Sequence, residues 1–323
     1  MKAAVIFEKG GMPQYVDIPV PSSNNNDELL ATVKAAAIKH LDKSKASGKH
    51  YSSSNDISKA KVIGGDGVGI LKDGTRVYAM GATGMLAEKA LIEKDRMVVL
   101  PASLDDITAA ALPNAVAGSA MALLFRAGIQ AGANVLINGA TGFTGKIAVQ
   151  LAKHYGANKV IATGRNEQTL KELLKLGADE IISLKQEDDA LLTQLKNLHA
   201  ASPMDIIVDY LWGHTAELIL ASLKGKGSFT HPTKFVSIGA VTGDIIQLSA
   251  ENLRSVDLQL SGSGLGSWTK PQVGKFFTEI LPEALQLAAN GKLKVDTVSV
   301  KLNDIENLWD STVPDGKRLV VVI

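Results

Sequence analysis

Three glycines and one arginine carry the first chemical signal in this sequence. Gly139, Gly142 and Gly145 stand in G-x-x-G-x-x-G order. Val135, Leu136 and Ile137 before them form a short apolar run with a β-branched bias, suited to a parallel strand covered on both faces. After them Ile147, Val149, Leu151 and Ala152 recur at helical spacing. A strand, a glycine turn and a helix in this order predict a pyrophosphate site, because unpaired backbone N–H groups and the helix dipole both favour negative charge there; an ordinary βα turn with incidental glycines is the alternative. A side chain at Gly142 would block the approach, and Gly145 lets the helix pack tightly on the strand. Thr141, Gly142, Phe143 and Thr144 are thus the candidate phosphate contacts. The next strand ends in Gly164-Arg165-Asn166. The acidic residue that would grip a ribose 2′-hydroxyl is absent. Gly164 leaves room, and Arg165 brings a planar cation suited to phosphate. The expectation is NADPH rather than NADH, with Gly164, Arg165 and Asn166 at its 2′-phosphate end; a solvated surface charge is the alternative for Arg165.

The bulk numbers narrow the class. The chain has 323 residues, enough for about two domains, with 46% hydrophobic and 21% charged residues and a net charge of +1. Nothing in that balance points to nucleic acid or to an acidic membrane. The first residues carry too short an apolar run for a signal peptide, and Ala109 to Phe125 is broken by Pro113 and Asn114 and reads as buried helix. The cytoplasm is the expected compartment. There is no cysteine, so thiolate catalysis and sulfur-ligated zinc are excluded. The six histidines form no His-x-x-x-His or His-Glu-x-x-His pattern, and no metal site is expected.

The elements that must position these residues fall into three stretches. Residues 1 to about 100 hold short β-prone runs at Ala3–Phe7, Tyr15–Ile18, Leu29–Ile38, Val62–Leu71, Arg76–Met80 and Met97–Leu100, separated by glycine, proline and asparagine. They predict a partly open barrel or sandwich. Residues 103–127 predict helix, capped by Ser103 and broken by Pro113. From Val135 strands and helices alternate, with strands at Val135–Asn138, Val160–Thr163, Glu180–Ser183, Ile206–Tyr210 and Phe235–Ile238; this predicts a doubly wound parallel sheet. The tail predicts a helix over Gln272–Asn290 interrupted by Pro282, then strands at Thr297–Val300 and Arg318–Ile323, too little to fold alone.

The chain resembles the medium-chain dehydrogenase/reductase superfamily, and within it the zinc-free quinone oxidoreductase-like enzymes. The resemblance rests on Gly64-Gly65-Asp66-Gly67-Val68-Gly69, Asp73-Gly74-Thr75-Arg76-Val77, Ala110-Ala111-Leu112-Pro113, the Val135–Gly145 stretch, Gly164-Arg165 and Gly316-Lys317, in that order. It implies a doubly wound Rossmann domain (118–262) inserted in a β-rich GroES-like catalytic domain (1–117 and 263–323), with the active site in the cleft between them. It implies further contacts to cofactor at Gly239 and Lys317. Where the zinc branch has its metal-binding cysteine and histidine this chain has Lys39 and Gly65, and Asn114 stands near the third ligand. The activity implied is zinc-independent hydride transfer from NADPH to a quinone or an α,β-unsaturated carbonyl. Charge building on the acceptor oxygen then needs a donor, for which Lys39 and Tyr51 are the candidates. Pairing of Lys39 with Asp42, or its contact with a cofactor ribose hydroxyl, is an equal alternative. The resemblance also admits a non-catalytic NADPH-binding protein, a sensor or a structural protein, as lens crystallins of the family show. It implies a homodimer through an edge strand at residues 256–262.

Overall fold

The computed structural model describes every residue except 24, 51–59, 226–228, 312, 314 and 315. The chain divides into two compact units, Met1–Pro113 with Gly274–Ile323, and Asn114–Val273.

The first unit holds β1 (Lys2–Ile6), β2 (Gln14–Asp17), β3 (Glu28–Ile38), α1 (His40–Ala46), β4 (Lys61–Val62), β5 (Asp66–Ile70), β6 (Arg76–Gly81), β7 (Lys89–Val99) and α2 (Asp106–Ala111). β3 pairs antiparallel with β5 along one part of its length and with β7 along another. With β5–β6 and β6–β7 pairing, this second contact of β3 bends the sheet into a barrel. β7 is much longer than Met97–Leu100, because its charged middle, Glu93-Lys94-Asp95-Arg96, hides the strand from an apolar pattern. Its first half pairs with β3 and its second with β6. The helix predicted from 103 is capped by Asp105, whose carboxylate accepts the Thr108 N–H at 2.8 Å; Ser103 is not the cap.

The second unit runs α3 (Pro113–Met121), a π-turn at Ala122–Ala127, β8 (Asn134–Asn138), α4 (Phe143–His154), β9 (Lys159–Gly164), α5 (Glu167–Lys175), β10 (Glu180–Ser183), α6 (Asp188–Ala201), β11 (Ile206–Asp209), α7 (Gly213–Ser222), β12 (Thr233–Ser237), α8 (Ala250–Ser255) and β13 (Leu258–Gly262). All its strand pairs are parallel, in the order β10-β9-β8-β11-β12-β13. The order reverses between β8 and β11, so a crevice opens at their carboxyl ends. Val135, Leu136, Ile137, Ile207 and Val208 in these strands are fully buried, which is why their runs are continuously apolar.

The chain then passes through α9 (Lys270–Lys275), a π-turn at Phe276–Ile280, α10 (Leu281–Ala289), β14 (Thr297–Lys301), α11 (Ile305–Leu308) and β15 (Arg318–Val322). The break in the predicted 272–290 helix is this π-turn. Pro282 lies in the first turn of α10, where its missing N–H leaves the preceding carbonyls to wider pairing. β15 pairs antiparallel with β3, so the end of the chain joins the sheet begun at residue 28. Among the described residues no helix is long and apolar enough to cross a membrane.

Candidate functional site

In the second unit the glycine turn has the geometry its sequence requires. Gly139 leaves β8 at φ +84°, a left-handed conformation that favours glycine. A Cβ on Gly145 would lie 2.5 Å from Ala140 Cα and 2.6 Å from the Gly139 carbonyl, so α4 packs on the turn only without one. Gly142 is the N-cap of α4, with no side-chain cap bond. Among the described residues a Cβ on it would meet the Gly139 carbonyl at 3.7 Å, an ordinary contact, so glycine is not required there by close packing. Phe143 is buried and Thr144 half-buried in the first turn, and the Thr144 carbonyl accepts the Ser119 hydroxyl at 3.3 Å.

At the end of β9 a Cβ on Gly164 would lie 2.3 Å from Thr141 Cγ2, so Thr141 packs against the bare face of this glycine. Arg165 is exposed beyond it, and Asn166 caps α5 by accepting the Thr169 N–H at 3.0 Å. Gly239, after β12, runs close over the neighbouring loop: its Cβ would lie 2.7 Å from the Tyr210 carbonyl. Lys317 is exposed, immediately before β15 in the other unit, and Tyr51 lies outside the described residues.

In the first unit Lys39 is buried, 2% exposed. Its ammonium donates to Asp66 Oδ1 at 2.5 Å and to the Ala37 carbonyl at 3.1 Å, and lies 3.1 Å from Asp42 Oδ2. Three acceptors match the three N–H bonds of an ammonium. The arrangement grows out of local structure: Lys39 is the N-cap of α1, and the Asp42 carboxylate, three residues on, reaches back to the Lys39 N–H at 2.9 Å and to the Gly65 N–H at 3.2 Å. Tyr78 on β6 donates its hydroxyl to Asp66 Oδ2 at 2.7 Å. Burial works against the Lys39 charge, but Asp42 and Asp66 outweigh it and hold the ammonium above its usual range. Burial pulls the Arg318 guanidinium down to about 10, with Asp42 and Asp66 opposing, so it too stays charged at neutral pH. Burial and then Asp66 push the Tyr78 hydroxyl well up, keeping it a donor. The pairing of Lys39 with Asp42 is therefore present, but as part of a larger cluster. Its ammonium is enclosed by its own acceptors, a poor arrangement for a direct donor to a substrate oxygen.

Sequence reasoning missed Tyr78 and Arg318 here, although an arginine heading the apolar run Leu319-Val320-Val321 is a visible sign of a buried cation. It also missed Asn138 and Asp209, each the polar last residue of an apolar strand and each fully buried.

Residues 144–289 match the family model of zinc-binding dehydrogenases. The quinone oxidoreductase of Sus scrofa is 25% identical over 305 residues, covering 86% of this chain and 90% of that protein. These matches make the chain similar to the quinone oxidoreductase-like branch of the medium-chain dehydrogenase/reductase superfamily. A chloroplastic NADPH-dependent alkenal/one oxidoreductase of Arabidopsis thaliana is 32% identical over 212 residues, 58% of this chain and 53% of that one. The structure of the Escherichia coli quinone oxidoreductase complexed with NADPH superposes with a TM-score of 0.81 at 24% identity, covering all of both chains, and it establishes the shared fold. The chain thus carries a doubly wound parallel sheet and a β-barrel unit.

Proposed function

We propose that this protein is an NADPH-dependent oxidoreductase that reduces a conjugated carbonyl, a quinone or an enone. The observation that carries the reading is the glycine turn that leads β8 into the N-terminus of α4, next to a β9 terminus that ends in an exposed arginine instead of an acid. The names of the relatives support it: the Sus scrofa protein is a quinone oxidoreductase and the Arabidopsis thaliana protein an NADPH-dependent alkenal/one oxidoreductase.

The residues fit the cofactor. The backbone of Gly142, Phe143 and Thr144 presents a helix N-terminus to pyrophosphate. Arg165 supplies charge-assisted hydrogen bonds to a 2′-phosphate, with Asn166 fixing the turn that carries it. Thr141 packs against Gly164 and shapes the wall between them. Gly239 gives the backbone its close approach at the neighbouring loop, and Lys317 adds a further cation for phosphate. When bound, NADPH supplies the hydride. The protein's part is to orient the acceptor, exclude water and hold the charge that builds on the acceptor oxygen. Tyr51 is the proposed donor to that oxygen. Lys39 serves as a positioning residue, its ammonium fixing the Asp42 and Asp66 carboxylates.

The reaction is proposed to proceed without zinc. The donor set supports this: no cysteine exists in the chain, and the position of the metal-binding cysteine is filled by an ammonium already bound to two carboxylates. A homodimer is proposed through β13, the terminal strand of its sheet, where Leu260 is exposed. NADPH oxidation measured against quinones and enones, in the presence of a chelator, tests the reading. Turnover with either class supports it. Absence of turnover with every acceptor, together with tight NADPH binding, would replace it with a non-catalytic NADPH-binding role.

A further inference from the structure

A buried polar network lies beneath the glycine turn. The Gly139 N–H donates to Thr163 Oγ1 at 3.2 Å, and the Thr163 hydroxyl donates to Asn138 Oδ1 at 2.6 Å. The Asn138 amide donates to Asp209 Oδ1 at 2.8 Å and to Thr215 Oγ1 at 3.2 Å. Asp209 also accepts the Leu211 N–H at 3.0 Å and the Trp212 N–H at 3.0 Å. The direction of each bond follows from the one before. Thr163 uses its lone pair on Gly139 and its proton on Asn138, so Asn138 must turn its NH2 group to Asp209, and an ionised carboxylate only accepts.

The far end of the network is strained. Trp212 has φ +57° and ψ −156°, a conformation that residues with side chains rarely adopt. Its N–H is held by Asp209, its carbonyl accepts the Thr242 hydroxyl at 3.0 Å, and its ring meets Phe235 edge-on at 6.1 Å. Such a conformation persists only where its surroundings over-determine it. The two loops also touch: a Cβ on Gly139 would lie 2.8 Å from Leu211 Cγ. Movement of the loop after β11 therefore pushes on the glycine turn after β8.

We propose that Asp209 is a positioning residue for the nucleotide. Its carboxylate fixes the glycine turn through Asn138 and Thr163, and fixes the strained Leu211–Trp212 loop directly, so one buried group sets both sides of the crevice between β8 and β11. This rests on the cofactor assignment made above.

Asp205 at the opposite end of the same strand provides the control. Its carboxylate accepts the Asn134 N–H at 2.7 Å and bonds His231 at 2.8 Å, away from the glycine turn. NADPH dissociation constants and melting temperatures are to be measured for the wild type, Asp209→Asn, Asn138→Ala, the double variant and Asp205→Asn. Asp209→Asn keeps the shape but turns a donor toward N–H groups. The expected result is a rise in the NADPH Kd of about tenfold in each single variant at the glycine turn. The double variant should show little further rise, because the two residues act as one relay. Asp205→Asn should lower the melting temperature and leave Kd within about twofold. An unchanged Kd in Asp209→Asn, or a rise in Asp205→Asn that tracks its loss of stability equally, overturns the inference while the cofactor reading stands. A wild type that does not bind NADPH overturns both. Should Asp209→Asn fail to fold, Asn138→Ala carries the same comparison.

Discussion

The two units bury their charges in opposite ways. In the barrel unit the Lys39 ammonium sits between Asp42 and Asp66, and the buried Arg318 adds a second cation to the two carboxylates. In the sheet unit the fully buried Asp209 carboxylate is held by neutral donors, from Asn138, Leu211 and Trp212. Burial pushes the Asp209 carboxyl up, and those N–H groups pull the other way. The Lys39 ammonium is satisfied by acceptors of its own cluster. A carboxylate satisfied by backbone and amide groups instead fixes the loops those groups belong to. The proposed function draws on this difference: backbone positioned by Asp209, with the Arg165 side chain, for the cofactor, and the barrel cluster as an internal scaffold.

The strongest way to break this contrast is to open the closed cluster. Lys39→Met leaves two buried carboxylates without their ammonium, and removal of one partner from such a pair costs about 3–5 kcal/mol. A fall in melting temperature on the order of 10 °C is expected, from about 2–4 °C per kcal/mol in a chain of this size. Lys39→Met with Asp66→Asn leaves Asp42 opposite Arg318 and should recover part of the loss. Melting of Lys39→Met within about 2 °C of the wild type would remove the cluster as a source of stability.

Arg165→Glu tests the exposed side of the contrast. It replaces the cation by the acidic residue suited to a free ribose hydroxyl. The ratio of kcat/KM for NADPH to that for NADH should fall by roughly 10- to 100-fold, as loss of a charge-assisted contact predicts. The melting temperature should hardly move, since Arg165 is at the surface. An unchanged ratio would make it a solvated surface charge.

Gly164→Ala sharpens the packing beneath that arginine. Its Cβ would lie 2.3 Å from Thr141 Cγ2. Thr141 can relieve part of the clash by rotation, so a cost of about 1–2 kcal/mol is expected from denaturant unfolding. Thr141→Ser, which removes that methyl group, should restore most of it in the double variant. If the single variant is as stable as the wild type, Thr141 does not confine Gly164.

What was legible in the sequence follows the same division. The glycine turn is local: Gly139, Gly142 and Gly145 and their flanking strand and helix are read within 21 residues, Ala133 to Lys153. The alternation of strands and helices after Val135 likewise gives the doubly wound sheet, because each parallel strand is buried on both faces and reads as an apolar run. Beyond the local Lys39–Asp42 pair the ion cluster was hidden, because Asp66 and Tyr78 join it through the pairing of β5 with β3 and β6, and Arg318 through the pairing of β15 with β3. The glycine at 164 is visible in the sequence, but its packing partner is not. That partner, Thr141, is set by how two strand ends meet. The strain at Trp212 left no trace either, since a tryptophan between Leu211 and Gly213 looks like an ordinary apolar residue.

The smallest effect separates the two units by pH. In the barrel unit partial burial, then Arg318 and Lys43, hold the His40 imidazole below its usual range. In the sheet unit Asp188, then Glu217, hold the exposed His214 above it. The two histidines therefore act on stability with opposite sign. As pH falls below the ordinary histidine range, unfolded His40 takes up a proton that folded His40 resists, so its contribution weakens with acid. Folded His214 binds its proton more readily than the unfolded chain does. Its stabilisation is complete below the unfolded pKa and is lost as pH rises through the higher folded one. Chemical denaturation of His40→Gln and His214→Gln at about pH 5.5 and about pH 8.5 reads both at once. On acidification His40→Gln should gain stability relative to the wild type and His214→Gln should lose it. Solvent screening keeps the second effect small. Shifts of the same sign in both variants would show that the cations beside His40 and the carboxylates beside His214 do not set these two histidines apart.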